Sequence, residues 1–198
     1  MAPGMAAASS KGALTSAEYA QLVGARSRLK SDPLKTVTGI KAALWDCEQI
    51  QEVSSLLTEV RADCIAQIEM AGFTPSVEKI VKGCAGYSSV TERLNCLLPT
   101  YESLYTATHD FYNAEINVHR IASSRGLTAA CANLLSDSPA VIAQEKQLLD
   151  TVGSVIATMK AGNVLSFEKF SGEVITVAAE VQQGQNANSG KLSICAHQ

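Results

Sequence analysis

One stretch of the chain, PTYESLYTATHDFYNAEINVHRIA over 99–122, concentrates side chains able to do chemistry. It holds Tyr101, Tyr105, Phe111 and Tyr112, four of the ten aromatic residues, together with Glu115, His109 and His119. On a helical wheel Leu94, Tyr101, Tyr105, Tyr112 and His119 fall within about 40° of one direction, with Glu115 close by. The opposite face carries Ser103, Thr106, Asp110, Asn113 and Asn117. Tyr112, Glu115 and His119 are therefore expected to point inward, and Glu115 and His119, four residues apart, lie within hydrogen-bonding reach. The structural use of such a face is a core filled by tyrosine bodies, with Glu115 and His119 satisfying each other. The chemical use is a pocket in which Tyr105, Tyr112, Glu115 and His119 hold a small hydrophobic or haem-like ligand, since Tyr and His can ligate haem iron. Asp110 beside His109 resembles a fragment of a metal or acid–base site, but the wheel puts both toward solvent.

Beyond that face, catalytic signatures are missing. The chain has no G-x-S-x-G, no G-x-x-x-x-G-K-[ST], no G-x-G-x-x-G and no H-E-x-x-H. Glu-x-x-His pairs, which di-iron bundles draw from two helices, are absent too. No catalytic residue, metal ligand or cofactor is assigned. The charged groups Glu59/Arg61/Asp63 and Lys79/Lys82 read as solvated faces, and the single tryptophan, Trp45, as a helix-interface residue with an exposed partner anchor as the alternative.

Six cysteines, Cys47, Cys64, Cys84, Cys96, Cys131 and Cys195, lie at least twelve positions apart, which excludes CxxC zinc and redox motifs. An even set of well-separated cysteines reads as disulfides in an oxidising compartment. Six buried thiols in a cytosolic helical protein form the competing reading. The first residues, MAPGMAAASSKG, lack the apolar run of a signal peptide, so an extracytoplasmic protein would have had its signal removed.

The elements that must position these groups are helices. Alanine occurs 28 times, and the caps are plentiful. Thr15 with Glu18 and Ser89 with Glu92 fit capping boxes; Asp32-Pro33, Thr74-Pro75 and Ser138-Pro139 fit helix starts; Gly72, Gly126, Gly162 and Gly184 fit helix ends. These marks predict helices over about 16–30, 33–71, 75–83, 89–124 (kinked at Pro99), 127–136, 138–161 and 166–183. In the second of these, Leu34, Val37, Ile40, Leu44, Cys47, Ile50, Ser54, Leu57, Arg61, Cys64 and Ile68 recur about every 3.4 residues. Ile142, Leu149 and Ile156 repeat every seven in the helix over 138–161. The expected fold is all-α: an antiparallel up-and-down bundle of four to five long helices with short accessory ones. Residues 1–13 read as a disordered leader, 14–183 as one bundle domain, and 184–198 as a tail that Cys195 could tie back.

A helix over 33–71 would hold Cys47 and Cys64 about 26 Å apart, which forbids their pairing. Cys64 is then expected opposite Cys96 across an antiparallel hairpin, with Cys84 as the rival partner for either. Cys131 and Cys195 fall at the other end, and Cys47 could reach Cys131 if the 127–136 helix folds back.

The 198 residues, with Lys+Arg 16 against Asp+Glu 19, carry a formal charge of -3, which argues against a general nucleic-acid binder. No apolar run approaches a membrane span. The expected function is a non-enzymatic, secreted or otherwise extracytoplasmic helical module that binds a protein or cell-envelope component. The alternatives are a carrier of a small hydrophobic or haem-like ligand, and a cytosolic helical protein with reduced cysteines.

Overall fold

A computed structural model describes residues 14–29, 37–163, 173–174 and 176–178. The protein is all-α, with no strand among the described residues. Among the described residues up to 163, six helices follow one another: α1 (Ser16–Leu29), α2 (Val37–Glu48), α3 (Ser55–Cys84), α4 (Val90–Ser124), α5 (Ala129–Leu135) and α6 (Pro139–Lys160). Residues 173–174 and 176–178 are helical as well.

The caps act as their residue types dictate. The Thr15 hydroxyl accepts from the Glu18 N–H at 3.2 Å, and the Glu18 carboxylate accepts from the Thr15 N–H at 2.9 Å, a closed capping box that starts α1. Ser89, Thr128 and Ser138 cap α4, α5 and α6 through their side chains. Gly126 (φ +77°) and Gly162 (φ +67°) end α4 and α6. In each, the next residue's N–H reaches back five positions, Leu127 to the Ala122 carbonyl and Asn163 to that of Thr158, so the glycine supplies the left-handed residue of a Schellman turn.

Two boundaries differ from the sequence reading. The expected 33–71 helix is broken at 49–54, because Ser54 is a cap and not a member of the apolar row: its hydroxyl accepts from the Leu57 N–H at 3.4 Å. Beyond it α3 runs unbroken to Cys84, so the expected end at Gly72 and the separate 75–83 helix are not formed. Gly72 lies inside α3, where a Cβ would meet Ile40 Cγ2 at 3.4 Å, an ordinary contact distance, so α2 passes close over it.

Neighbouring helices pack antiparallel in a steady register. Cys47 faces Cys64 and Ile40 faces Gly72 across α2 and α3. Cys84 faces Cys96, and Asp63 meets Glu115, across α3 and α4. Asp137 meets Glu115, Gly153 meets Tyr105 and Lys160 meets Glu102 as α6 descends along α4. Two apolar clusters result. One joins α1, α2, α3, α5 and the end of α4 through Leu22, Cys47, Leu57, Ile68, Val118 and Leu135. The other holds Cys84, Leu94, Val152, Val155, Val174 and Val177.

The disulfides correct the expected connectivity. Cys47 bonds Cys64 and Cys84 bonds Cys96. The break at 49–54 turns α2 back against α3, which brings Cys47 and Cys64 to a Cα separation of 5.6 Å. Cys64 is thereby unavailable to Cys96, and Cys47 to Cys131; Cys84, the expected rival, takes Cys96. Cys131 is also disulfide-bonded, and no described cysteine is free. Asp32-Pro33, Phe167, Phe170, Gly184, Cys195 and His197, with the proposed leader over 1–13 and the tail over 184–198, lie outside the described residues.

Candidate functional site

The buried face of α4 is rotated by roughly 90° from the expected one. Its buried residues include Leu94, Ala107, Thr108, Phe111, Glu115, Val118 and Ala122. Phe111 and Val118, with no polar end to satisfy, are fully buried, and the tyrosines stand on the flank of the buried face. Tyr105 is 38% exposed, lies over Gly153 and stacks on the exposed His109 with ring centroids 6.4 Å apart. Tyr101 and Tyr112 are half-buried. His119, also half-buried, pairs with the Asn133 carboxamide at 3.2 Å and not with Glu115. The structure therefore does not bring Tyr105, Tyr112, Glu115 and His119 around one point. Of the four, Glu115 alone is buried.

Glu115 instead belongs to a group of acids. Glu115 from α4, Glu145 from α6 and Asp137 from the turn before α6 are 3%, 0% and 7% exposed, and oxygens of all three lie within 4.8 Å of one another. Asp63 of α3, 8% exposed, adjoins Glu115. The group sits where the two apolar clusters meet along α4, between Leu104 and Val118. One Glu115 oxygen accepts the Asp137 backbone N–H at 2.5 Å. Neither Glu145 oxygen receives a hydrogen bond, nor does Oδ2 of Asp137.

Electrostatics here run against ionisation. Burial first, then the charges of Asp63 and Asp137, push the Glu115 carboxyl well above its ordinary range, and the Asp137 N–H opposes this only in part. Glu145 is pushed up to about 12 by burial first, then by the Asp137 carboxyl beside it and by the charges of Glu115, Asp137 and Asp63. No cationic side chain is among the groups acting on either. Such a group must take up protons or a cation to be stable inside the protein.

Three of these four acids were not singled out by the sequence reading. Asp63, expected on a solvated face, is buried. Glu145 carried a legible signal, since it occupies a core position in the row Val141, Glu145, Leu148, Val152, Val155, Met159 of α6. Asp137 carried none beyond its place beside the Ser138 cap. Trp45, expected at a helix interface, is instead 60% exposed. It stands one turn from the end of α2, where Ala43 and Cys47 fill the buried side of the helix.

No protein-family model, curated protein or solved structure matches this chain.

Proposed function

We propose that the protein is a non-enzymatic, extracytoplasmic binding module, in which a helical scaffold braced by disulfides engages a protein or cell-envelope component. The observation that carries this reading is the exposure of Trp45, near the end of α2, and Val53, in the turn to α3, each 60%. An indole held out in water contributes little to the fold, whereas tryptophan is among the residues that dominate binding when a partner covers it. The turn that presents it is fixed at its base by Cys47–Cys64. The disulfides support an oxidising location. Among the described residues no helix is long and apolar enough to cross a membrane. The carrier reading draws no support from Tyr105, which faces solvent, or from His119, which is bonded to Asn133.

The test is retention of fractionated extracellular and envelope material on the immobilised, oxidised protein, with Trp45→Ala alongside. Saturable retention that Trp45→Ala weakens about thirtyfold, the equivalent of a 2 kcal/mol hot spot, is expected, with helix content and oxidised mass unchanged. Equal retention by both proteins, or none by either, refutes the reading.

A further inference from the structure

We propose that Glu115, Asp137 and Glu145, with Asp63 beside them, hold one hard divalent cation of calcium size inside the protein. Glu145 is the acid that the protein leaves least satisfied. It is fully buried, it occupies a core position of α6 that an aliphatic residue would fill, and neither of its oxygens receives a hydrogen bond. A carboxyl group without donors is costly at such a position unless something other than the protein satisfies it. Its oxygens face those of Glu115 and Asp137, all within 4.8 Å. Three atoms so spaced have a common point within about 2.8 Å of each, so small side-chain rotations bring all three to a calcium–oxygen distance of about 2.4 Å without moving a helix. The donors are all carboxylate oxygens, the set that hard cations take and that zinc or copper sites replace with nitrogen and sulfur.

The ligands come from separate parts of the chain. Glu115 belongs to α4, Asp137 to the turn after α5 and Glu145 to α6, while Asp63 of α3 stands beside them. An ion there would join the two apolar clusters at the level where apolar packing is interrupted. The Asp137 N–H bonded to one Glu115 oxygen fixes that carboxylate's orientation, as outer hydrogen bonds do for metal ligands. This inference is independent of the partner proposed for Trp45.

The experiment uses the full oxidised chain, stripped with chelator and titrated with calcium chloride, then with magnesium chloride, by calorimetry and thermal melting. One calcium per chain is expected, with magnesium at least tenfold weaker because it demands a tighter octahedron. Calcium near a hundredfold excess over Kd should raise Tm by about 5–10 °C. Glu145→Gln keeps the side chain's shape, removes a charged ligand, and should weaken calcium binding at least tenfold, while Asp110→Asn on the exposed side of α4 leaves it unchanged. Absence of stoichiometric binding, preference for magnesium, or equal affinity in Glu145→Gln would overturn the proposal. So would a Glu145→Gln protein more stable than the parent with neither responding to calcium, since the acids would then be sharing protons. Should Glu145→Gln fail to fold, Glu115→Gln and the calcium response of the parent protein decide the question.

Discussion

Replacing Arg125 by methionine strands a carboxylate. Glu18 is 2% exposed, and its two oxygens accept the Arg125 guanidinium fork, Nη1 to Oε1 at 2.5 Å and Nη2 to Oε2 at 3.0 Å. The pair ties the first turn of α1 to the last residue cap of α4, 107 positions away. Removing one member of a buried ion pair costs about 3–5 kcal/mol. The Thr15 N–H, the Thr15 hydroxyl and Ser54 still serve Glu18 in the variant, and Arg125 is 27% exposed, so the expected loss is nearer 2–3 kcal/mol. Glu18→Gln should cost about 1–2 kcal/mol. In the double variant no charge is stranded, so its loss should fall short of the sum by at least about 1.5 kcal/mol. Urea unfolding of the four proteins at pH 7 measures this, and additivity within about 0.5 kcal/mol refutes the argument. The same pair sets a pH dependence. Burial raises the Glu18 pKa, but Arg125, Thr15 and Ser54 together bring it from 4.5 down to about 2. Between those values the unfolded chain binds the proton and the folded one does not, so this stability is complete above about 4.5 and is lost as pH falls through about 2. The gap between the parent and Glu18→Gln should close over that window.

Two further outcomes are expected. The double substitution Cys84→Ala/Cys96→Ala, which opens a link of sequence separation 12, should lower stability by about 3 kcal/mol without loss of helix signal, read by urea unfolding against the oxidised parent. Gly126→Ala, at φ +77°, should destabilise by about 1 kcal/mol, whereas Gly72→Ala, whose Cβ meets Ile40 at ordinary contact distance, should stabilise by up to about 1 kcal/mol; thermal melts that fail to separate the two would refute the assigned glycine roles.

Helices whose starts and ends are written in cap residues were legible from the chain alone. Thr15 and Glu18, Ser138 ahead of Pro139, and Gly126 and Gly162 sit where the sequence places them. The error at 49–54 had a physical source. Ile50 is buried and falls in phase with Cys47 and Leu57, so the apolar rhythm crosses a turn as if the helix continued, and only the Ser54 cap marks the break. That one boundary carried the disulfide assignment with it. The candidate site was less legible, because a buried acid and a surface acid are the same letter. Tyrosine positions drew the expected wheel, while Phe111, Val118 and Ala122 determined the actual one. Glu145 could have been found by asking why a carboxylate stands in a core row.

The two fully placed disulfides join cysteines that are consecutive in the chain, first with second and third with fourth. Four cysteines allow three connectivities, and this is the one that arises when each thiol reacts with the next to arrive. A chain delivered N-terminus first into an oxidising compartment meets Cys64 while Cys47 is waiting, closes that pair, and has Cys84 unpaired when Cys96 emerges. In such a compartment the order of delivery by itself would favour these two pairs over the other two connectivities. Helix α3, clamped in its first half by Cys64 and at its end by Cys84, is the mast to which its two neighbours are moored.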